Sequence, residues 1–154
     1  MRLVALAAFC VASIGVPLVA QDLTETDFFE LREAAGPDAA GSGEAFLKIA
    51  RKAAASGNWG AALKGYAEAA LIYPNAEALS GSASAFAMIT RDRDGCANGY
   101  AIKISDLGQA YSLLAIATRL ADADADGESF DPTEALTRIQ EAAAGLRTAV
   151  DACR

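Results

Sequence analysis

Apolar residues recur along this chain at intervals of three and four, interrupted by short runs of Gly, Pro, Asn and charge. That spacing predicts an all-α protein. Thr24 is placed to cap a first helix, with Asp27 three residues on and Phe28, Leu31 and Ala35 along one face. Gly36-Pro37 ends it, and Pro37 to Gly43 reads as a linker. A second helix spans Glu44 to Ser56 with a stripe of Phe46, Ile49, Ala50 and Ala53, stopped by Gly57. A third runs from Trp59 to Tyr73 with Ala62, Tyr66, Ala69 and Ala70 inward. Pro74 ends it and Asn75 caps a fourth, Ala76 to Thr90, whose face is unusually small: Ser80, Gly81, Ser84 and Ala85.

The next segment sends two signals. Tyr100, Ile102 and Ile104 alternate with Ala101, Lys103 and Ser105, as in a short strand, after a hairpin-like Asn98-Gly99. An internal repeat, which aligns this segment with the third helix, favours a helix there, with a further one over Gln109 to Ala121. Asp122 to Asp131 reads as an acidic loop. A last helix runs from Pro132 to Ala152, with Leu136, Ile139, Ala143, Leu146, Val150 and Cys153 as its core stripe.

The first residues follow another pattern. Arg2 is the only charge before Asp22, and Leu3 to Val19 is apolar or small, closing on Leu18-Val19-Ala20. This predicts a secretory signal peptide over residues 1–20, cleaved after Ala20. Ser13, Gly15 and Pro17 interrupt the run, and acidic residues follow it, which disfavours an anchor. The expected division is residues 1–20 as signal, 21–43 as N-terminal helix and linker, and 44–154 as the helical domain. Without Arg2, the exported chain carries 12 basic residues against 20 acidic ones. That balance argues against nucleic acid and against an anionic membrane surface as partners. There is no histidine, which removes the usual general base and the commonest transition-metal ligand. No Gly-rich phosphate loop follows a strand. The expectation is a non-enzymatic protein without a cofactor.

An internal repeat sharpens the picture. Gly65-Tyr66-Ala67 recurs 34 residues later as Gly99-Tyr100-Ala101; on the same offset Ala62 falls on Cys96 and Pro74 on Gly108. Over Gly43 to Ala76 the chain resembles the tetratricopeptide repeat, whose period is 34. Phe46, Ile49, Ala50 and Ala53 sit at the spacing of that repeat's first helix, and Ala62, Tyr66 and Pro74 at that of its second. The second copy departs from the pattern, with Arg93 for Trp59, Arg91 for Gly57 and Ser80 for Phe46. A third unit begins near Tyr111. The resemblance implies antiparallel helical hairpins, about three degenerate units, and a concave face lined by first helices that holds a protein or peptide partner. Its outward residues would include Glu44, Leu47, Lys48 and Arg51, then Ala78, Ala85 and Met88, then Ala115 and Arg119. Lys48 and Arg51 are the candidate partner-binding pair. Some family members clamp a C-terminal carboxylate with such residues plus asparagine, which is missing from that set here.

Two further features bear on chemistry. Asp122, Asp124, Asp126 and Gly127 form D-x-D-x-D-G, the opening of a calcium loop, with Glu134 as its closing ligand. Glu134 is the thirteenth position rather than the twelfth, and one residue on a helix turns a side chain by about 100°. Asp131-Pro132-Thr133-Glu134 also reads as an ordinary helix start. Calcium binding is therefore the alternative function. Cys96 and Cys153 are the thiols left after signal removal, and an oxidising compartment favours a disulfide between them. A regular stack would instead hold them about 20–30 Å apart, at 1.5 Å per residue, against a Cα limit of ~7 Å. Either the stack is irregular around Arg91–Gly99, or the cysteines are unbridged, or they pair between chains; the expectation is an intramolecular bridge with a distorted second repeat. Together these features predict a periplasmic or secreted interaction module of the cell envelope.

Overall fold

The computed structural model describes residues 23–93, 99–123 and 130–152. Among the described residues there are six helices and no strand: α1 Glu25–Ala34, α2 Ala39–Ala55, α3 Trp59–Ile72, α4 Ala76–Asp92, α5 Gly99–Ala123 and α6 Thr133–Ala152. The residues proposed as signal peptide, most of the D-x-D-x-D-G loop, and Cys96 and Cys153 lie outside the described residues. No described helix is long and apolar enough to cross a membrane.

α2 and α3 form an antiparallel pair whose seam is made of very small residues. A Cβ built at Gly65 would stand 2.9 Å from the Ala50 Cβ and 3.2 Å from its backbone, so only hydrogen fits there. At the other end of the pair, a Cβ added at Gly43 would stand 3.4 Å from the Tyr73 Cβ. The turn joining the two helices leaves no slack. Gly57 adopts φ +73°, donates to the Ala54 carbonyl, and is followed by Asn58, which donates to the Ala53 carbonyl. This pair of bonds is a Schellman motif, and its left-handed position needs glycine. The Asn58 side chain then caps α3 by accepting from the Ala61 N–H.

Pro74 stops α3 and Asn75 caps α4, its side chain accepting from the Ala78 N–H at 2.8 Å. α4 is the central element: α3, α5 and α6 all pack against it. It is therefore buried around most of its circumference, including Leu79, Ser82, Ala83, Phe86 and Thr90. Ser82 returns its hydroxyl proton to the Ala78 carbonyl, so its burial leaves no unpaired donor. The core continues through Leu107, Leu113, Leu114, Ala117 and Leu120 of α5 and through Ala135, Ile139 and Ala142 of α6. α1 sits on α3, burying Phe28. Two contacts hold it at its ends: Arg32 lies 5.6 Å from the Tyr73 ring centroid, and Arg119 of α5 pairs with Glu25.

The base of the α4–α5 hairpin is polar and buried. Lys103 is 5 % exposed and donates to the Arg91 carbonyl; Asp106, 9 % exposed, accepts from Thr90 and pairs with Arg93 at 3.0 Å. These partners explain why the alternation over residues 100–105 is not a strand. Lys103 and Asp106 are three apart on one helical face turned inward, while Ile104 between them is exposed.

Several sequence expectations shift by an element or a face. α1 has the expected capping box, with Thr24 and Asp27 bonded reciprocally. α2 begins at Ala39 rather than Glu44, so most of the expected linker is its first turn. The two helices expected over residues 99–121 are one, α5, and Tyr111 lies exposed near its middle rather than opening a third unit. Ile49 is 60 % exposed and Leu47 is buried, the reverse of the expected stripe. Ala78, Ala85 and Met88, expected to face outward, are buried because α4 is covered on three sides. On α6, Leu136 is half-exposed and Ala135 takes its place in the core.

Candidate interaction groove

A groove of about 410 Å³ opens between α2, α4 and α6, with Tyr66 of α3 in its floor. The small face of α4 creates it: Ser80, Gly81 and Ser84 leave a channel that longer side chains would fill. Gly81 is there because of Tyr66. A Cβ at that position would fall 2.4 Å from the ring, so the tyrosine lies flat across bare α4 backbone.

The walls carry ion pairs. Arg51 reaches from α2 to Glu77 at the start of α4, its Nε donating to Oε1 at 2.5 Å and its Nη2 to Oε2 at 2.6 Å. Nη1 and Nη2 also donate to Glu44, two turns back on α2. These hydrogen bonds, Glu77 first and then Glu44, raise the Arg51 pKa above an already high ordinary value. In return, the Arg51 hydrogen bond holds the Glu44 carboxyl below its usual range, with the charges of Arg51 and Lys48 adding to the effect. Burial, and then the charge of Glu77, push the Tyr66 phenol upward, with Arg51 and Arg138 opposing.

The opposite wall comes from α6. Asp131 accepts from the Thr133 N–H and so tethers the helix start; hydrogen bonding with Thr133 lowers its pKa. Glu134 pairs with Arg138 one turn on. The Arg138 guanidinium stands 4.6 Å from the centroid of Trp59, the chain's single tryptophan. A cation held over an indole face gains about 0.5–2 kcal/mol, depending on how far it is desolvated.

Of the two expected partner-binding residues, Arg51 lines the groove, already engaged by two carboxylates. Lys48 is exposed on α2, one turn from Glu44, and does not line it. Asp122 is exposed at the end of α5, while Asp124 and Asp126 lie outside the described residues. Glu134, the expected closing ligand of the calcium loop, turns its carboxylate to Arg138. Among the described residues no group of three or more His, Cys, Asp or Glu is placed to hold a metal ion.

Sequence reasoning did not single out Glu77, Arg138 or the Trp59 stack, because each acts across elements distant in the chain. The small face of α4 was the available signal. Comparison with protein-family models, curated proteins and solved structures returns no match. What the groove can do chemically is read from its own groups: fixed hydrogen-bond donors and acceptors around a small-residue floor, an arrangement suited to recognition.

Proposed function

We propose that this chain is an exported, non-enzymatic interaction module, built from tetratricopeptide-like helical hairpins, that holds an extended segment of another protein between α2, α4 and α6. The observation that carries this reading is the groove itself, walled by ordered ion pairs and floored by Ser80, Gly81 and Ser84. A backbone can approach such a floor closely, and pre-paired walls lose little freedom when it arrives. The order of elements supports the repeat reading: α2 with α3, then α4 with α5, follow one another as hairpins, and α6 covers the exposed side of α4 and α5. The apolar N-terminal sequence, with Arg2 before it and Ala20 at its end, supports export to a periplasmic or extracellular compartment.

Site-specific cross-linking tests the reading. Benzoylphenylalanine placed at Ala55, on the groove's exposed wall, should cross-link a discrete protein in envelope fractions. The same group at Ile104, exposed on α5, should not. Equal labelling from both positions, or none from Ala55 in a folded variant, would count against the groove as the binding surface.

A further inference from the structure

The hydrogen-bonding capacity of the groove indicates what it takes. Arg51 has five N–H donors, and bonds to Glu44 and Glu77 take four of them, leaving one on Nη1. A carboxylate bound bidentately would have to displace one already in place. Arg138 gives one donor to Glu134 and its flat face to Trp59. The acceptors are in the opposite condition. A carboxylate offers about four lone-pair sites, and Glu77 uses one on each oxygen. Glu134 accepts from Arg138 and Asp131 from Thr133, which leaves lone pairs on both. Three carboxylates line the groove against two guanidiniums, and Glu44 adds a fourth at its edge. The whole chain carries net −7, so the far field has the same sign. Arg138 keeps spare N–H donors, but carboxylates outnumber guanidiniums in the groove, and their remaining lone pairs lie in a negative field.

Resting on the interaction reading above, we propose that the partner segment is cationic: an extended peptide whose Lys or Arg side chains bind Glu77, Glu134 and Asp131 while its backbone lies along Ser80, Gly81 and Ser84. This reverses the sign suggested by Lys48 and Arg51. Those residues look like an anion clamp in the sequence, but Arg51 is an internal counter-ion, fixing Glu77 across the groove. Acidic residues elsewhere on the surface attract cations too, so the test must report from the groove. Trp59 provides that report, because a ligand on Glu134 alters the guanidinium resting over the indole.

The experiment uses fluorescein-labelled heptapeptides of alternating Lys and Ala, Glu and Ala, or Ser and Ala, followed by anisotropy, with unlabelled peptides followed by Trp59 emission. The lysine peptide should bind, shift the Trp59 emission, and weaken about fivefold or more between 50 and 200 mM salt. It should weaken about tenfold in Glu77→Gln/Glu134→Gln and less than about twofold in Glu30→Gln/Glu141→Gln, which removes the same net charge from exposed sites outside the groove. Should the first double variant fail to melt cooperatively, the peptide series and the Trp59 shift on the unsubstituted protein decide alone. Tighter binding by the glutamate or serine peptide would overturn the assigned sign and keep the groove reading. Equal loss in both double variants, or lysine-peptide binding that leaves Trp59 unchanged, would reduce the effect to general surface charge and overturn the inference. If no peptide binds, the inference falls, and cross-linking from position 55 judges the broader reading separately.

Discussion

At the scale of single residues, glycine carries opposite meanings at different positions. Gly65 packs against the backbone of Ala50, which cannot step aside, whereas Gly108 in α5 has nothing within 4 Å of the space a Cβ would take. Gly65→Ala should therefore cost about 1–3 kcal/mol through overpacking. Gly108→Ala should gain about 0.5–1 kcal/mol from reduced chain entropy and better helix propensity. Urea unfolding of the two variants should show midpoints moving in opposite directions. The acidic caps give a second expectation. Hydrogen bonds from Thr24 hold Asp27 below its ordinary pKa, and those from Thr133 do the same for Asp131. A carboxyl with a lowered folded pKa contributes stability that is present above its unfolded value, about 4. That contribution is lost as pH falls through the lower folded value. The Tm should thus be flat from pH 7 to about 5 and fall below 4, and Asp27→Asn should shrink the fall by lowering the Tm at pH 7 more than at pH 3.

At the scale of elements, caps and stops were legible because they are local chemistry. Thr24 with Asp27, Gly57, Pro74 and Asn75 act within four residues of themselves, and each does in the structure what its type and position predict. Asn75→Ala should cost about 1 kcal/mol, because the Ala78 N–H it serves is partly buried. Faces were harder to read. An alanine-rich helix has a weak contrast between its sides, so periodicity left Ile49 and Leu47 interchangeable until α3 arrived to bury one of them. The same weakness misplaced the stripe on α6. Ile139→Ala should cost about 2–5 kcal/mol and Leu136→Ala less than about 1, since Ile139 is fully buried and Leu136 is 36 % exposed. Paired thermal melts read out the difference. The continuity of α5 was also hidden, because the partners of Lys103 and Asp106 come from the end of α4.

At the scale of the whole molecule, the candidate groove was only half visible in the chain. Its floor showed as the small residues of α4, but its walls require Arg51 to meet Glu77 and Arg138 to meet Trp59, pairings fixed by how α2, α3, α4 and α6 assemble. Long-range ties of unequal weight hold the assembly together. Arg119 is well exposed and Glu25 partly so, so Arg119→Ala should leave the Tm essentially unchanged. Phe28→Ala, on the same helix as Glu25, should cost about 3–5 kcal/mol and release α1 from α3. Limited proteolysis would cut after residues of α1 in the second variant and spare the first. The bare crossing of Gly65 on Ala50 has a mechanical outcome as well. Neither residue has a rotamer to change, so the α2–α3 seam has no side chain to yield, and any change in the channel's width must come from its other walls, where longer side chains can slide.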